Sequence, residues 1–513
     1  MVSSLAGTVT AMSVSVPAWA AHLPAPGYDW LPPDVAAGSL TAAFARHWEA
    51  DPDREVLHDG AHGWVDRGRL DEMTRVAAGR LHRAGLRAGD RVVTSAPASI
   101  DLVVAHLAAL RLGLVVVPTH VAYTERELAH VLEAARPGFA VVDDAERVRV
   151  TGHDVTTAAP ELDLPDGPPP PLDTAAPSDV ALLPFTSGTT GRPKGVPLTH
   201  ANLTAGAAAV VTAWRWTESD RVVLGLPLFH MHGLGVGLHG TLLAGASAVL
   251  LPAFAVDEVL DAAAGHGATL FFGVPTMYQR LAASERVAEL GRLRLCVSGS
   301  APMPAELHER LDAAIGSRVL ERYGMTETVM NISNPYDGDR RAGSVGLPLP
   351  GVEVRLATSG EIELRGPNVF SGYWQDAEAT SAAFTTDGWF RTGDIAEQDP
   401  DGYYRIVGRS KELIISGGYN VFPREVEDVL RAHPGVADCA VVGTPDAEWG
   451  EVVTAFVVPA DGGCDVDALQ EHAAGQLAGY KRPRRVHIVD DLPRNALGKV
   501  LRNELADRAA SLT

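Results

Sequence analysis

Apolar and polar positions along this chain keep two periods, and the switches between them predict its elements. Residues 70–86 carry apolar side chains at helical spacing. The turn Arg87-Ala88-Gly89-Asp90 follows, and then a strand-like run at 91–94. Residues 101–112 are again helical, and 114–118 are apolar throughout. Further strands are expected at 221–226, 248–251, 269–272 and 294–297. A helix is expected from Pro304 to Ile315, opened by a proline and closed by Gly316. Such alternation predicts a mainly parallel sheet covered by helices.

The character changes twice after that. Residues 352–407 read as short strands with tight turns such as Asp399-Pro400-Asp401-Gly402, an antiparallel barrel or small sheet. From Ser410 the pattern is compact α+β, with helices at 421–432 and 466–477 and strands at 440–442, 452–458 and 485–489. The proline-rich stretch 160–179 reads as a surface connection. Residues 1–39 are expected to form a loosely ordered leader. Ala18-Trp19-Ala20 imitates a signal-peptidase site, but no Lys or Arg precedes Arg46, so the charged start of a signal peptide is missing. The expected division is 1–39, then 40–409 as a large N-terminal domain, then 410–513 as a small C-terminal domain. The fold class is α/β, with layered sheets, a barrel-like subdomain and the α+β unit.

Composition narrows the function. The 513 residues include 43 Lys and Arg against 64 Asp and Glu, a net charge of −21, with 46% hydrophobic residues. Wholesale disorder is excluded, and a chain-wide surface for nucleic acid or anionic membrane is disfavoured. The longest apolar run, 102–117, is interrupted by His106 and Arg111, so no membrane span is expected. Cys296, Cys439 and Cys464 lie far apart and suggest neither a disulfide framework nor a zinc site, which favours a reducing, cytoplasmic setting.

Four segments carry chemistry. The first runs from Phe185 to Val196 and holds Thr186, Ser187, Gly188, Thr189, Thr190, Arg192 and Lys194. Hydroxyls, glycines and two cations suit phosphate oxygens, although Pro193 and the lack of a hydroxyl after Lys194 exclude a Walker A loop. A flexible turn is the plainer reading. The second, Tyr323-Gly324-Met325-Thr326-Glu327-Thr328, offers an aromatic for a purine, a hydroxyl for phosphate and a carboxylate for Mg²⁺; a helix start is the alternative. The third places Asp394 fifteen positions before Arg409, suited to ribose hydroxyls or merely to a turn. The last, Pro493 to Lys499, presents one lysine on a loop of small residues, and a solvated charge is the usual fate of such a lysine.

Taken in order, these motifs resemble the adenylate-forming superfamily of acyl-CoA synthetases, luciferases and peptide-synthetase adenylation domains over roughly residues 40–510. The resemblance implies a mobile C-terminal lid and two half-reactions: a carboxylate attacks Mg·ATP to give acyl-AMP, and coenzyme A then displaces AMP. It further implies ATP contacts from Thr186, Ser187, Gly188, Thr189, Thr190, Lys194, Ser300, Ala301, Pro302, Glu321, Arg322, Tyr323, Gly324, Met325, Thr326, Asp394, Arg409 and Lys499. Glu327 would hold Mg²⁺, and Lys499, Thr326, Glu327 and His230 would be catalytic. Lys411 would be the hinge, and Ser416, Gly417 and Gly418 would line the coenzyme A tunnel. A cation is required where two anions must join, so the lid must deliver Lys499 and later withdraw it.

The acid is read from residues 225–234, 273–280, 298–302 and 321–340, which look most like malonyl-CoA synthetases. A second carboxylate needs a partner in the acyl pocket. Arg280, with His230 and Ser298, is the expected set; a helix-surface arginine is the plain alternative for Arg280. Malonate and methylmalonate stay open. So do a fatty-acid or aryl-acid CoA ligase, a non-catalytic adenylate-binding homologue, and an adenylation domain serving a separate carrier protein. Small-molecule partners are expected, without nucleic acid or integral membrane contact.

Overall fold

The computed structural model describes residues 17–186, 193–446, 449–494 and 499–512. Two sheets form the body. The larger has nine strands, with Leu320–Tyr323, Leu295–Ser298, Leu270–Gly273, Arg221–Leu224, Ser247–Leu250 and Glu55–Asp59 running parallel across its centre. Antiparallel strands, Gly63–Asp66 on one side and Ile332–Ser333 then Leu347–Pro348 on the other, complete it. The second sheet has six strands built around Arg91–Ser95 and Val115–Pro118, again mainly parallel. The expected strands at 91–94, 114–118, 221–226, 248–251, 269–272 and 294–297 therefore exist within a residue or two.

Helix Ile100–Arg111 is buried along nearly its whole circumference, which explains its continuous apolar run. Its Arg111 is buried too and bonds Asp71, Thr74 and Asp173, so the charge that breaks the apolar run is an internal tie. Helix Ala305–Ile315 stops where Gly316 takes φ 71°, a left-handed cap that glycine adopts freely. Between residues 353 and 409 the chain forms a four-stranded antiparallel sheet, the small-sheet alternative of the expected subdomain.

After the turn Ser410–Glu412 the chain enters a separate five-stranded sheet packed by helices Pro423–Arg431, Val466–Gln476 and Arg502–Leu512. Two corrections follow. Strand Val436–Asp446 is much longer than the expected 440–442, because its register runs almost its whole length with Gly450–Pro459, which matches the expected 452–458 within a residue or two. The leader is not loose over its described part. His22 is buried with Nε2 3.2 Å from the Leu347 carbonyl, Arg215 donates to the His22 and Leu23 carbonyls, and Trp30 packs over Gly351. Among the described residues no helix is long and apolar enough to cross a membrane.

Candidate active site

Open parallel sheets present ligand sites at the carboxyl ends of their strands, and the sequence motifs gather there. Strand Leu320–Tyr323 ends at Tyr323, whose hydroxyl donates to Asp394 Oδ2 at 2.6 Å. Arg409 Nε donates to Asp394 Oδ1 at 3.0 Å, across the register that pairs Asp394 with Arg409. The fifteen-residue spacing is thus the span of one hairpin. Each carboxylate oxygen keeps a further lone pair for a ribose hydroxyl. Desolvation first, and the Asp394 charge second, hold the Tyr323 phenol well above its ordinary pKa.

Thr186 and Lys194 face each other in a two-stranded ribbon that brackets residues 187–192. Ser187, Gly188, Thr189 and Thr190 lie outside the described residues. Lys194 Nζ stands 4.9 Å from the ring centroid of Tyr373, whose hydroxyl donates to Glu327 Oε1 at 3.0 Å. Sequence reasoning missed Tyr373, which joins the base of the phosphate loop to the carboxylate expected to bind Mg²⁺. Glu327 is 6% exposed, and desolvation raises its pKa despite the Tyr373 bond. A lone buried carboxylate of this kind fits Mg²⁺ carried in on a triphosphate, since that ion takes one or two carboxylates and leaves its other positions to water and phosphate.

The backbone behind Glu327 is strained. Val329 has φ 57° and ψ −77°, close to a γ-turn and unfavourable for a β-branched residue. Buried Asn368 clamps this turn, its Nδ2 donating to the Thr328 and Met330 carbonyls at 2.7 and 2.9 Å. Gly324 is obligatory beside it, because a Cβ there would lie 2.5 Å from the Val329 carbonyl oxygen. Thr326 and Met325 are half-buried on the same stretch.

Lys499 reaches this centre from the C-terminal domain. The residue is exposed, yet its ammonium end feels Arg409, Asp394, Glu412 and Glu327; desolvation foremost, then Arg409, lowers its pKa. Lys499 and Arg322 also act on His230, which burial drives down to about 3, so this imidazole is neutral. Lys411 sits exposed in the turn Ser410–Glu412. Ser416 is buried, while Gly417 and Gly418, with φ 58° and 82°, make the two-residue turn of a hairpin held to the Trp449 carbonyl through Gly417 N–H.

The acyl side departs most from expectation. Arg322 is 5% exposed, makes no ion pair among the described residues, and has no hydrogen-bond partner for Nε or Nη2. Burial alone pushes its pKa down to about 9. Its neighbours include His230, His232 and Gly299. Arg280, by contrast, is exposed on helix Pro275–Ala282 and stacks over Phe254 at 5.1 Å. Strand alternation explains the difference. Val297, Leu320 and Phe272 pack on one face of the large sheet, Cys296 and Phe271 on the other. Arg322 follows Leu320, whereas Ser298 follows Cys296 and Arg280 belongs to the helices covering that second face. Ser298 and the helix carrying Arg280 thus lie on the face opposite Arg322.

Glu321 pairs with Ser298 and shares its face of the sheet. Its carboxylate accepts from Met303 N–H and Gly343 N–H and lies 2.9 Å from His308 Nε2, a structural knot away from Arg322. Ser300 takes φ 69°, and Ala301 and Pro302 are exposed beyond it.

Lys194 at the base of a hydroxyl-rich segment, the Asp394–Arg409 pair and a lysine from a second domain suit a nucleotide-dependent carboxylate-activating site. The family model for AMP-binding enzymes matches residues 44–374, and that for the AMP-binding enzyme C-terminal domain matches 425–499. A feruloyl-CoA synthase of an Amycolatopsis species is 42% identical, covering 85% of this chain and 92% of its own. The mitochondrial malonate–CoA ligase of Mus musculus is 37% identical over 93% of both chains. The crystal structure of ATP-bound MatB from Rhodopseudomonas palustris superposes with a TM-score of 0.87 at 39% identity, covering 92% of this chain and 99% of its own. The chain belongs to the AMP-binding enzyme family and is an AMP-forming acyl-CoA ligase, using ATP, coenzyme A and Mg²⁺.

Proposed function

We propose that this ligase activates a short dicarboxylate, malonate or methylmalonate, and transfers it to coenzyme A. The observation that carries the reading is Arg322. A buried guanidinium without a counter-charge costs several kcal/mol, and a second carboxylate in the acyl pocket removes that cost. A guanidinium also offers the forked donor geometry that a carboxylate accepts. The malonate–CoA ligase relative and the MatB neighbour agree with it.

The remaining roles follow the site. Asp394 and Arg409 orient the ribose, Lys194 and the hydroxyls around it take the phosphates, and Glu327 would hold the Mg²⁺ that neutralises charge on them. Lys499 bridges the reacting carboxylate and the α-phosphate, where two anions meet. The hairpin of Ser416, Gly417 and Gly418 then replaces Lys499 when the lid turns about Lys411, opening the way for the thiol.

An aryl-acid reading is favoured by the identity to feruloyl-CoA synthase. It would set an aromatic ring against Arg322 and leave the charge without an anionic partner. Pyrophosphate release with a panel of acids separates the two. Malonate should outrun acetate, octanoate and coumarate; a faster rate with octanoate or coumarate overturns the dicarboxylate reading.

A further inference from the structure

His232 opens a π-helical stretch, His232–Leu238, a rare element that gathers at functional sites. Its ring is 3% exposed and stacks on Phe272 at a centroid distance of 6.3 Å. Neither Nδ1 nor Nε2 has a hydrogen-bond partner among the described residues. A neutral imidazole offers one donor and one acceptor, and leaving both empty in a dry interior is costly. Burial first, then Arg322 and His230, hold this imidazole far below its ordinary pKa, so the ring is neutral and keeps one N–H.

The backbone that carries the ring is closely packed. A Cβ at Gly233 would overlap the Pro227 carbonyl oxygen, one at Gly235 would overlap the Met231 methyl, and one at Gly237 would come within 2.6 Å of Leu224. The stretch is thus wedged against its surroundings on three sides. His232 shares the sheet face of Phe272 with Arg322, and two neighbouring unsatisfied polar groups on one face ask for the same ligand.

We propose that His232 is a specificity-determining residue, whose ring N–H donates to the distal carboxylate that Arg322 neutralises. The inference rests on the dicarboxylate reading above and adds a selection rule to it. An acid ending in an apolar group leaves both Arg322 and the His232 N–H unsatisfied, and sites built to bond a polar group reject analogues lacking it.

The test compares malonate with isovalerate, whose isopropyl group has the shape of the distal carboxylate, in full-length wild type, His232→Val and His232→Gln. His232→Val should raise KM for malonate about tenfold or more and cut the malonate-to-isovalerate ratio of kcat/KM by a similar factor. His232→Gln restores a donor and should recover most of that ratio, which a merely structural role would not do. An unchanged ratio in His232→Val, or an equal loss with both acids and in both variants, overturns the inference while leaving Arg322 in place. A wild type that does not prefer malonate overturns the dicarboxylate reading and the inference with it.

Discussion

Gly299 and Arg322 exclude one another's bulk: a Cβ on Gly299 would overlap the Arg322 guanidinium. The missing side chain is what lets an arginine lie buried on that face of the sheet. Gly299 does not need a left-handed backbone, so alanine there costs space rather than strain. Gly299→Ala should fold and should displace the guanidinium. Its kcat/KM for malonate is expected to fall at least about tenfold while its urea midpoint drops only modestly, as overpacking typically costs about 1–3 kcal/mol.

Lys499 feels the charges of Arg409, Asp394 and Glu327 and acts in turn on His230, and it arrives from another domain. Lys499→Ala should lower acyl-adenylate formation about 10²- to 10³-fold, the range for deleting one aimed electrostatic group. Conversion of supplied acyl-AMP to thioester should survive. Equal loss of both half-reactions would show that the lysine does not act in adenylation only.

The same lysine sets an alkaline limit. Desolvation and Arg409 put its pKa below the usual 10.5, and the charged form is the useful one. Adenylation should therefore decline, as pH rises, earlier than an ordinary lysine allows. Tyr323 and Tyr373 are both held above the ordinary phenol value by burial, so neither accounts for that limb. Lys499→Arg should move the limb upward in a pH–rate profile, because arginine stays charged.

Asn368 touches no reacting atom, yet it holds the strained turn after Glu327. Asn368→Ala leaves two buried carbonyls short of a donor, a cost of about 1–3 kcal/mol in unfolding free energy. It should also raise the Mg·ATP concentration needed for half-maximal rate while leaving KM for the acid near wild type. A change confined to stability would assign Asn368 to the scaffold alone.

Much of the site was legible in the sequence because its motifs are local. Tyr323 to Thr328, Asp394 with Arg409, and Lys194 fall where their spacing suggested, each being one strand end or one hairpin. The acyl pocket was not legible in the same way. Arg280 and Arg322 both lie in motif segments, and only the alternation of strands 295–298 and 320–323 shows that they lie on opposite sides of the sheet. The packing of His22 and Trp30 was equally hidden, since their partners Leu347 and Gly351 lie more than 300 residues away. Local period reports an element; it does not report what covers that element.

Replacing the buried guanidinium tests the selection of a dicarboxylate most directly. In Arg322→Leu the ratio of kcat/KM for malonate over isovalerate should fall roughly 30- to 5,000-fold, matching about 2–5 kcal/mol for a buried charged contact, with isovalerate retained or improved. Arg280→Ala should leave the ratio where it is. A ratio that survives Arg322→Leu, or one lost with Arg280→Ala instead, would contradict the account.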